Sequence, residues 1–279
     1  MNLPSSPVPN TGKLFYLLAF FFILQLAVAF LTYEFGFRFD EAMWEYIGRN
    51  WIRHGLIPYQ GGVDNKSPLI FAIYGLSDRI FGVNYIFPRI IGAVSQTIGL
   101  FFLYRIGEKV AGRETAFLAL ILYGLSLLWR STGGKYVSFT ESYSVTAVII
   151  SFYFFLSAEK PFRYFLSGLV AGIGGSFRLT AFFPAAAILI IASFRSRRMA
   201  FVFLLGLLTG VILFVLFLWL CKINISEFIA YGITDNFGSG SATDHNSVWK
   251  LMNFLEKFFY SELILFYPAL IGYFFMGKK

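Results

Sequence analysis

Leu14 to Leu31 reads LFYLLAFFFILQLAVAFL, eighteen residues without a charge and with a single side-chain amide, Gln25. A helix crossing the hydrocarbon core of a bilayer needs about 20 such residues. The pattern recurs along the chain. Apolar segments follow at 68–81, 88–105, 115–130, 142–157, 164–194, 200–221 and 261–276. Hydrophobic residues make up 57% of the protein and charged ones only 14%, against about 25% charged in soluble domains. So little polar surface cannot cover a body in water, and the solvent is lipid. The runs are continuous rather than alternating in polarity, which points to helices and away from a barrel.

The formal net charge of +8 fits the enrichment of Lys and Arg in the cytoplasmic loops of membrane proteins. No zinc-ligand cluster or stacking platform accompanies it, so nucleic acid is not an expected partner. Lys13 is the only charge ahead of the first apolar run, and no small-residue cleavage site follows, so 14–31 reads as an uncleaved helix. Cys221 is the sole cysteine and has no intramolecular disulfide partner. Gly168 with Gly172, and Gly206 with Gly210, have the spacing that lets helix backbones approach closely.

The 164–194 run is long enough for a hairpin of two short helices broken near Arg178 or for one long tilted helix, with Lys160 and Arg163 before it and Arg195, Arg197 and Arg198 after it. If both basic sets are cytoplasmic, the run enters and returns as a hairpin, and 131–141 lies outside. For 32–67 to share that face, one of the three apolar segments in between must be partial. The short 68–81 is the candidate.

The longest polar stretch of the N-terminal half contains Arg38–Pro68, RFDEAMWEYIGRNWIRHGLIPYQGGVDNKSP. Glu41, Glu45, Arg49 and Arg53 recur every four residues, each Glu ahead of its Arg, as favourable helical pairs do. Met43, Ile47 and Trp51 form a second stripe with Trp44 beside it, so this is an amphipathic interfacial helix, ended by Gly55 and Pro58. Asp40 and Glu41 open it. Either they cap the helix and suit its dipole, or a carboxylate there serves as general base for an acceptor hydroxyl or amine. Lys66, just before the next apolar segment, is either a snorkelling lysine or a phosphate-binding cation, with Tyr59, Asp64 and Asn65 nearby. Glu141, in GKYVSFTESYSV (134–145), is an acid at a membrane edge, with Lys135 as a possible ion-pair partner. Arg178 sits either at a hairpin tip or against an anion. Asp244 and His245 lie in the Gly/Ser-rich TDNFGSGSATDHNS (234–247), and His54 is the only other histidine, which excludes a histidine-rich metal site.

These pieces occur in a telling order: the Asp-Glu pair after the first membrane helix, an amphipathic helix, GLIPYQ, DNKSPL, Arg89, the acid in TES, then GLVAGIGGSFRLTA. The chain over about 14–200 resembles the polytopic glycosyltransferases of the GT-C fold. Within them it is similar to the protein O-mannosyltransferase-like enzymes and to the aminoarabinose transferases of lipid A. The resemblance implies a polyprenyl-phosphate sugar donor, an acceptor that is glycan, lipid or protein, and transfer at the outer face. It implies Asp40 as catalytic carboxylate with Glu41 beside it, Glu141 as second-loop acid, and Lys66 on the lipid phosphate, with Tyr59, Lys135 and Arg178 around the substrate. No cofactor is required. The loop acids could hold a divalent cation or act as base and orienter, and the sequence leaves this open. Members are usually longer, so the resemblance implies a form shortened at its C-terminus.

The expectation is therefore an all-α, polytopic transmembrane helical bundle of GT-C type in the cell membrane. It forms one domain over 1–279: helix 14–31, outer catalytic loop 32–67, bundle 68–222, polar loop 223–260 and last helix 261–276. A transporter or flippase of a lipid-linked or anionic substrate, and a non-catalytic subunit of an envelope glycosylation assembly, are the competing classes.

Overall fold

The computed structural model describes residues 11–32, 39–128 and 138–234. Lys135, Asp244, His245 and the 261–276 segment lie outside them. Among the described residues nine principal helices follow one another: α1 Thr11–Leu31, α2 Phe39–His54, α3 Pro68–Phe81, α4 Ile86–Ala111, α5 Arg113–Ser126, α6 Thr140–Leu156, α7 Pro161–Phe177, α8 Phe182–Arg195 and α9 Arg197–Leu220. A single turn at Ile225–Glu227 and a π-helical turn at Phe228–Thr234 close the described chain. There is no strand among the described residues. Gly12–Leu31, Ile86–Ala111 and Arg197–Leu220 are long and apolar enough to cross a membrane. The outside of the bundle is apolar too, with Phe15, Phe183, Phe194 and Trp219 among its exposed side chains. This is an all-α membrane bundle, solvated by lipid rather than closed over its own core.

Contacts along the helices fix their directions. The end of α1 meets the start of α4, where Arg89 Nη1 donates to Thr32 Oγ1 at 3.0 Å, and Phe21 of α1 shares a cluster with Leu100 and Tyr104 deeper in α4. α5 returns along α4, with Tyr104 against Phe117 at 4.9 Å between ring centroids. α6 runs parallel to α4. Ser95 Oγ donates to the Ser142 carbonyl at 3.1 Å, and Phe102 meets Tyr153 at 5.0 Å. α7 returns along α6 through Ser151–Ser167 hydrogen bonds of 2.8 Å and the stacked pair Tyr143–Phe177. Such interhelical hydroxyl bonds satisfy polar groups that lipid cannot.

The backbones of α7 and α9 lie in contact. A Cβ at Gly168 would run into the Phe203 carbonyl, and one at Gly206 into that of Phe165. Small residues at both pairs of positions make this approach accessible. Gly48 and Gly75 do the same for α2 and α3, where each position closes on the other helix's backbone. Neither glycine stands in a small-residue pair on its own helix, so nothing local in the sequence announces this second crossing.

α3 does not carry the chain across the bundle. Glu41 at the start of α2 bonds both Tyr74 in the middle of α3 and Arg89 in the first turn of α4. All three lie in one layer at one end. Its fourteen residues span about 21 Å, short of the roughly 30 Å hydrocarbon core. The starts of α4 and α6 and the ends of α1, α7 and α9 therefore share one end. The loops α4–α5, α6–α7 and α8–α9 share the other.

Candidate active site

α2 is amphipathic, but the two glutamates of its charged stripe, Glu41 and Glu45, are buried rather than turned to water. Glu41 is fully buried and held bidentately by Arg89, Nε to Oε1 at 3.0 Å and Nη2 to Oε2 at 2.6 Å. Tyr74 donates to Oε1 at 3.1 Å, and the Arg89 guanidinium lies 4.1 Å over the Tyr85 ring. One ion pair thus ties together α1, α2, α3 and α4. Arg53 pairs with Asp78 of α3 rather than with a neighbour on its own helix. Glu45–Arg49, the one Glu–Arg pair of the series four residues apart, does form, at 3.7 Å. The spacing reads the helix correctly, but its charges find partners on other helices. Burial, together with nearby Asp78, pushes the Glu45 carboxyl above its ordinary range against the pull of Arg49 and Arg53. The apolar stripe packs inward as well. Trp44 and Ile47 are buried with Phe71 and Tyr74, which leaves Phe39 and Tyr46 as the exposed aromatics of α2.

Asp40 differs from Glu41 next to it. It is exposed, and no hydrogen bond or ion pair engages it among the described residues. One turn on, and so on the same face, Trp44 gathers the rest of the site. Its Nε1 donates to Asp64 Oδ2 at 2.7 Å. Its ring meets Phe139, the residue preceding α6, edge-on at 5.3 Å. The loop carrying Asp64 and Lys66 and the first turn of α6 carrying Glu141 are both anchored on this indole.

The 55–67 loop is held in one shape. Tyr59 has φ +72°, the left-handed region where a bulky residue is strained. Its N–H donates to the Gly62 carbonyl at 2.8 Å, its hydroxyl to the Lys66 carbonyl at 2.7 Å, and its ring stacks on Tyr231. Burial, reinforced by Asp64, pushes its hydroxyl pKa well above the ordinary value, so it stays a donor. The Lys66 ammonium donates to Asn65 Oδ1 and has no carboxylate partner among the described residues. Ser67 caps α3, and Pro68 fills its first position.

Arg178 breaks the long apolar run as expected. It leaves α7 in extended conformation before the 3₁₀ turn Leu179–Ala181 and α8. Its guanidinium pairs with Glu141, which also accepts from Thr140 Oγ1 at 2.9 Å. Both members of the pair are partly exposed. Tyr143 stacked on Phe177 sets the two helix ends side by side. Among the described residues the site therefore offers one carboxylate without a partner, one ammonium without a carboxylate partner and one guanidinium held by a carboxylate. Among the described residues no three His, Cys, Asp or Glu side chains are grouped to hold a metal ion.

Trp44 and Arg89 are the organising residues that sequence reasoning left without a role. Arg89 stood in the motif order, but nothing local ties it to Glu41. Trp44 looked like one more aromatic of the apolar stripe.

The described residues form a helical membrane bundle with a fixed polar loop, an exposed carboxylate and cations at one end. The chain belongs to the dolichyl-phosphate-mannose-protein mannosyltransferase family, whose sequence profile matches residues 65–220. It is thus a membrane glycosyltransferase of the mannosyltransferase type. The matched region takes in Lys66, Arg89, Glu141 and Arg178 and leaves Asp40 and Glu41 outside. No curated protein and no solved structure matches the chain.

Proposed function

We propose that the protein transfers a sugar from a polyprenyl-phosphate donor to an acceptor hydroxyl or amine at the outer face of the membrane. The observation that carries this reading is the contrast between Asp40 and Glu41. Adjacent in sequence, one is exposed and has no partner among the described residues, and the other is locked in a buried ion pair. Asp40 takes the acceptor proton as the acceptor oxygen or nitrogen attacks the anomeric carbon. The bond from that carbon to the phosphate oxygen breaks, and the charge collects on the lipid phosphate. Lys66 and Arg178 stabilise that charge, Glu141 orients Arg178, and Tyr59 fixes the loop that presents Lys66. Displacement by a single base inverts the anomeric centre. Glu41 acts as a positioning residue, fixing the first turn of α2 through Arg89.

The orientation rests on the far-end loops, where Lys109, Arg113, Lys160, Arg163 and Arg197 cluster and which read as cytoplasmic. At the site end, by contrast, Arg49, Arg53, Arg89 and Arg178 are each tied to a carboxylate.

The test is single-turnover transfer of radiolabelled mannose from polyprenyl-phosphate mannose in nanodiscs. Replacing Lys66 by Met should slow bond cleavage by roughly 10²–10³-fold with the fold intact. A Lys66→Met protein that transfers at the wild-type rate would remove Lys66 from the phosphate.

A further inference from the structure

At the end of the bundle opposite the candidate active site lies a cavity of about 320 Å³ lined by Arg105, Glu108, Lys109, Tyr153, Ser157 and Arg163. Three elements build it: the last two turns of α4, the end of α6 and the first turn of α7. It holds three cations and one acid. Glu108 already accepts from Tyr104 at 3.1 Å and lies 3.6 Å from Arg105, so it balances one positive charge at most. Lys109 has no carboxylate partner, and the Tyr153 hydroxyl no hydrogen-bond partner, among the described residues. Arg163 donates one Nη1–H to the Ser157 carbonyl at 2.7 Å and keeps other guanidinium donors. The first turn of α7 carries no acid, and Lys160 before it supplies no side-chain cap. The positive end of that helix therefore adds to the potential.

We infer that this cavity binds a phosphate group, the headgroup of an anionic phospholipid or a free phosphate, independently of the transfer reaction. It lies at the end of the bundle from which the α4–α5 and α6–α7 loops emerge. Basic pockets between membrane helices on the cytoplasmic side suit anionic headgroups. A neutral zwitterionic headgroup would bring its own cation into a site already rich in positive charge.

The experiment uses the full chain in nanodiscs of phosphatidylcholine, with phosphatidylglycerol added in one arm and inorganic phosphate in another. Native mass spectrometry reads retained lipid, and the thermal midpoint reads phosphate binding. The variants are R105Q/K109Q and, as a control that removes charge at the same end outside the cavity, R198Q. Retention of phosphatidylglycerol should fall roughly tenfold or more in R105Q/K109Q and stay at the wild-type level in R198Q. A midpoint rise with inorganic phosphate that vanishes in R105Q/K109Q would support the site with free phosphate as its ligand. Wild-type behaviour of R105Q/K109Q with both probes would overturn the assignment. So would an equal loss in R198Q, which would mean diffuse attraction by the basic end.

Discussion

Replacing Glu41 by Gln tests whether α2 is anchored as described. Glu41 and Arg89 are buried, their side chains 0% and 1% exposed, and joined by two hydrogen bonds, with Tyr74 on the same carboxylate. Glutamine keeps the shape but removes the charge and turns one end of the fork into a donor facing a guanidinium N–H. Arg89 retains Thr32 and the Tyr85 ring, neither of which neutralises it. Breaking one side of a buried pair costs about 3–5 kcal/mol, largely because the surviving charge stays buried and uncompensated. The double replacement Glu41→Gln with Arg89→Gln removes that charge as well, so its cost should fall short of the sum of the single costs by about 2 kcal/mol or more. Equilibrium unfolding of the detergent-solubilised protein measures all four species. Single replacements costing under about 1 kcal/mol, or costs that add to within about 0.5 kcal/mol, would refute the anchoring role.

Three further outcomes follow from the same geometry. Gly206→Leu should break the α7–α9 contact, costing about 3 kcal/mol or more through forced separation of the backbones, read as a lower thermal midpoint. Tyr59→Phe, which loses only the hydroxyl bond to the Lys66 carbonyl, should cost about 1 kcal/mol and weaken donor binding more than it slows bond cleavage, as KM and kcat will separate. Glu45, whose folded pKa is raised from its ordinary 4.5, binds more protons in the folded than in the unfolded state. Its contribution is fully present below 4.5 and is lost as pH rises through the raised value. Glu45→Gln should therefore lessen the loss of thermal stability on going from acid to neutral pH, a difference absent if Glu45 titrates normally.

The helices other than α2 were legible because each is an apolar run, α2 was legible from its amphipathic spacing, and Arg178 was legible as a break because a lone cation in an apolar run must end it or find an anion. The small-residue pairs of α7 and α9 were legible as close-packing positions because both members of each pair sit on one helix at fixed spacing, and the structure packs the two pairs against each other. What the sequence concealed are partners that carry no period. Arg89 is forty-eight residues from Glu41, and Asp64 is twenty from Trp44. Regular spacing in α2 suggested charges paired along one helix, whereas burial of that face handed Glu41 to α4 and Arg53 to α3. Spacing alone did not separate Asp40 from Glu41, and only the resemblance put Asp40 forward. Only the packing of α3 and α4 separates an exposed carboxylate from one fully engaged. Tyr59 was read as a substrate contact, and the structure shows its hydroxyl and ring bracing the Lys66 loop.

The central claim is that Asp40 is the base of a sugar transfer. Transfer of radiolabelled sugar from polyprenyl-phosphate donors, by the wild-type chain and by Asp40→Asn in nanodiscs, tests it most directly. Asp40→Asn should lose roughly 10²–10⁴-fold in rate while unfolding like the wild type, since Asp40 is exposed and unengaged. Transfer at an undiminished rate by Asp40→Asn, or no transfer from any donor by well-folded wild-type protein, would contradict the account.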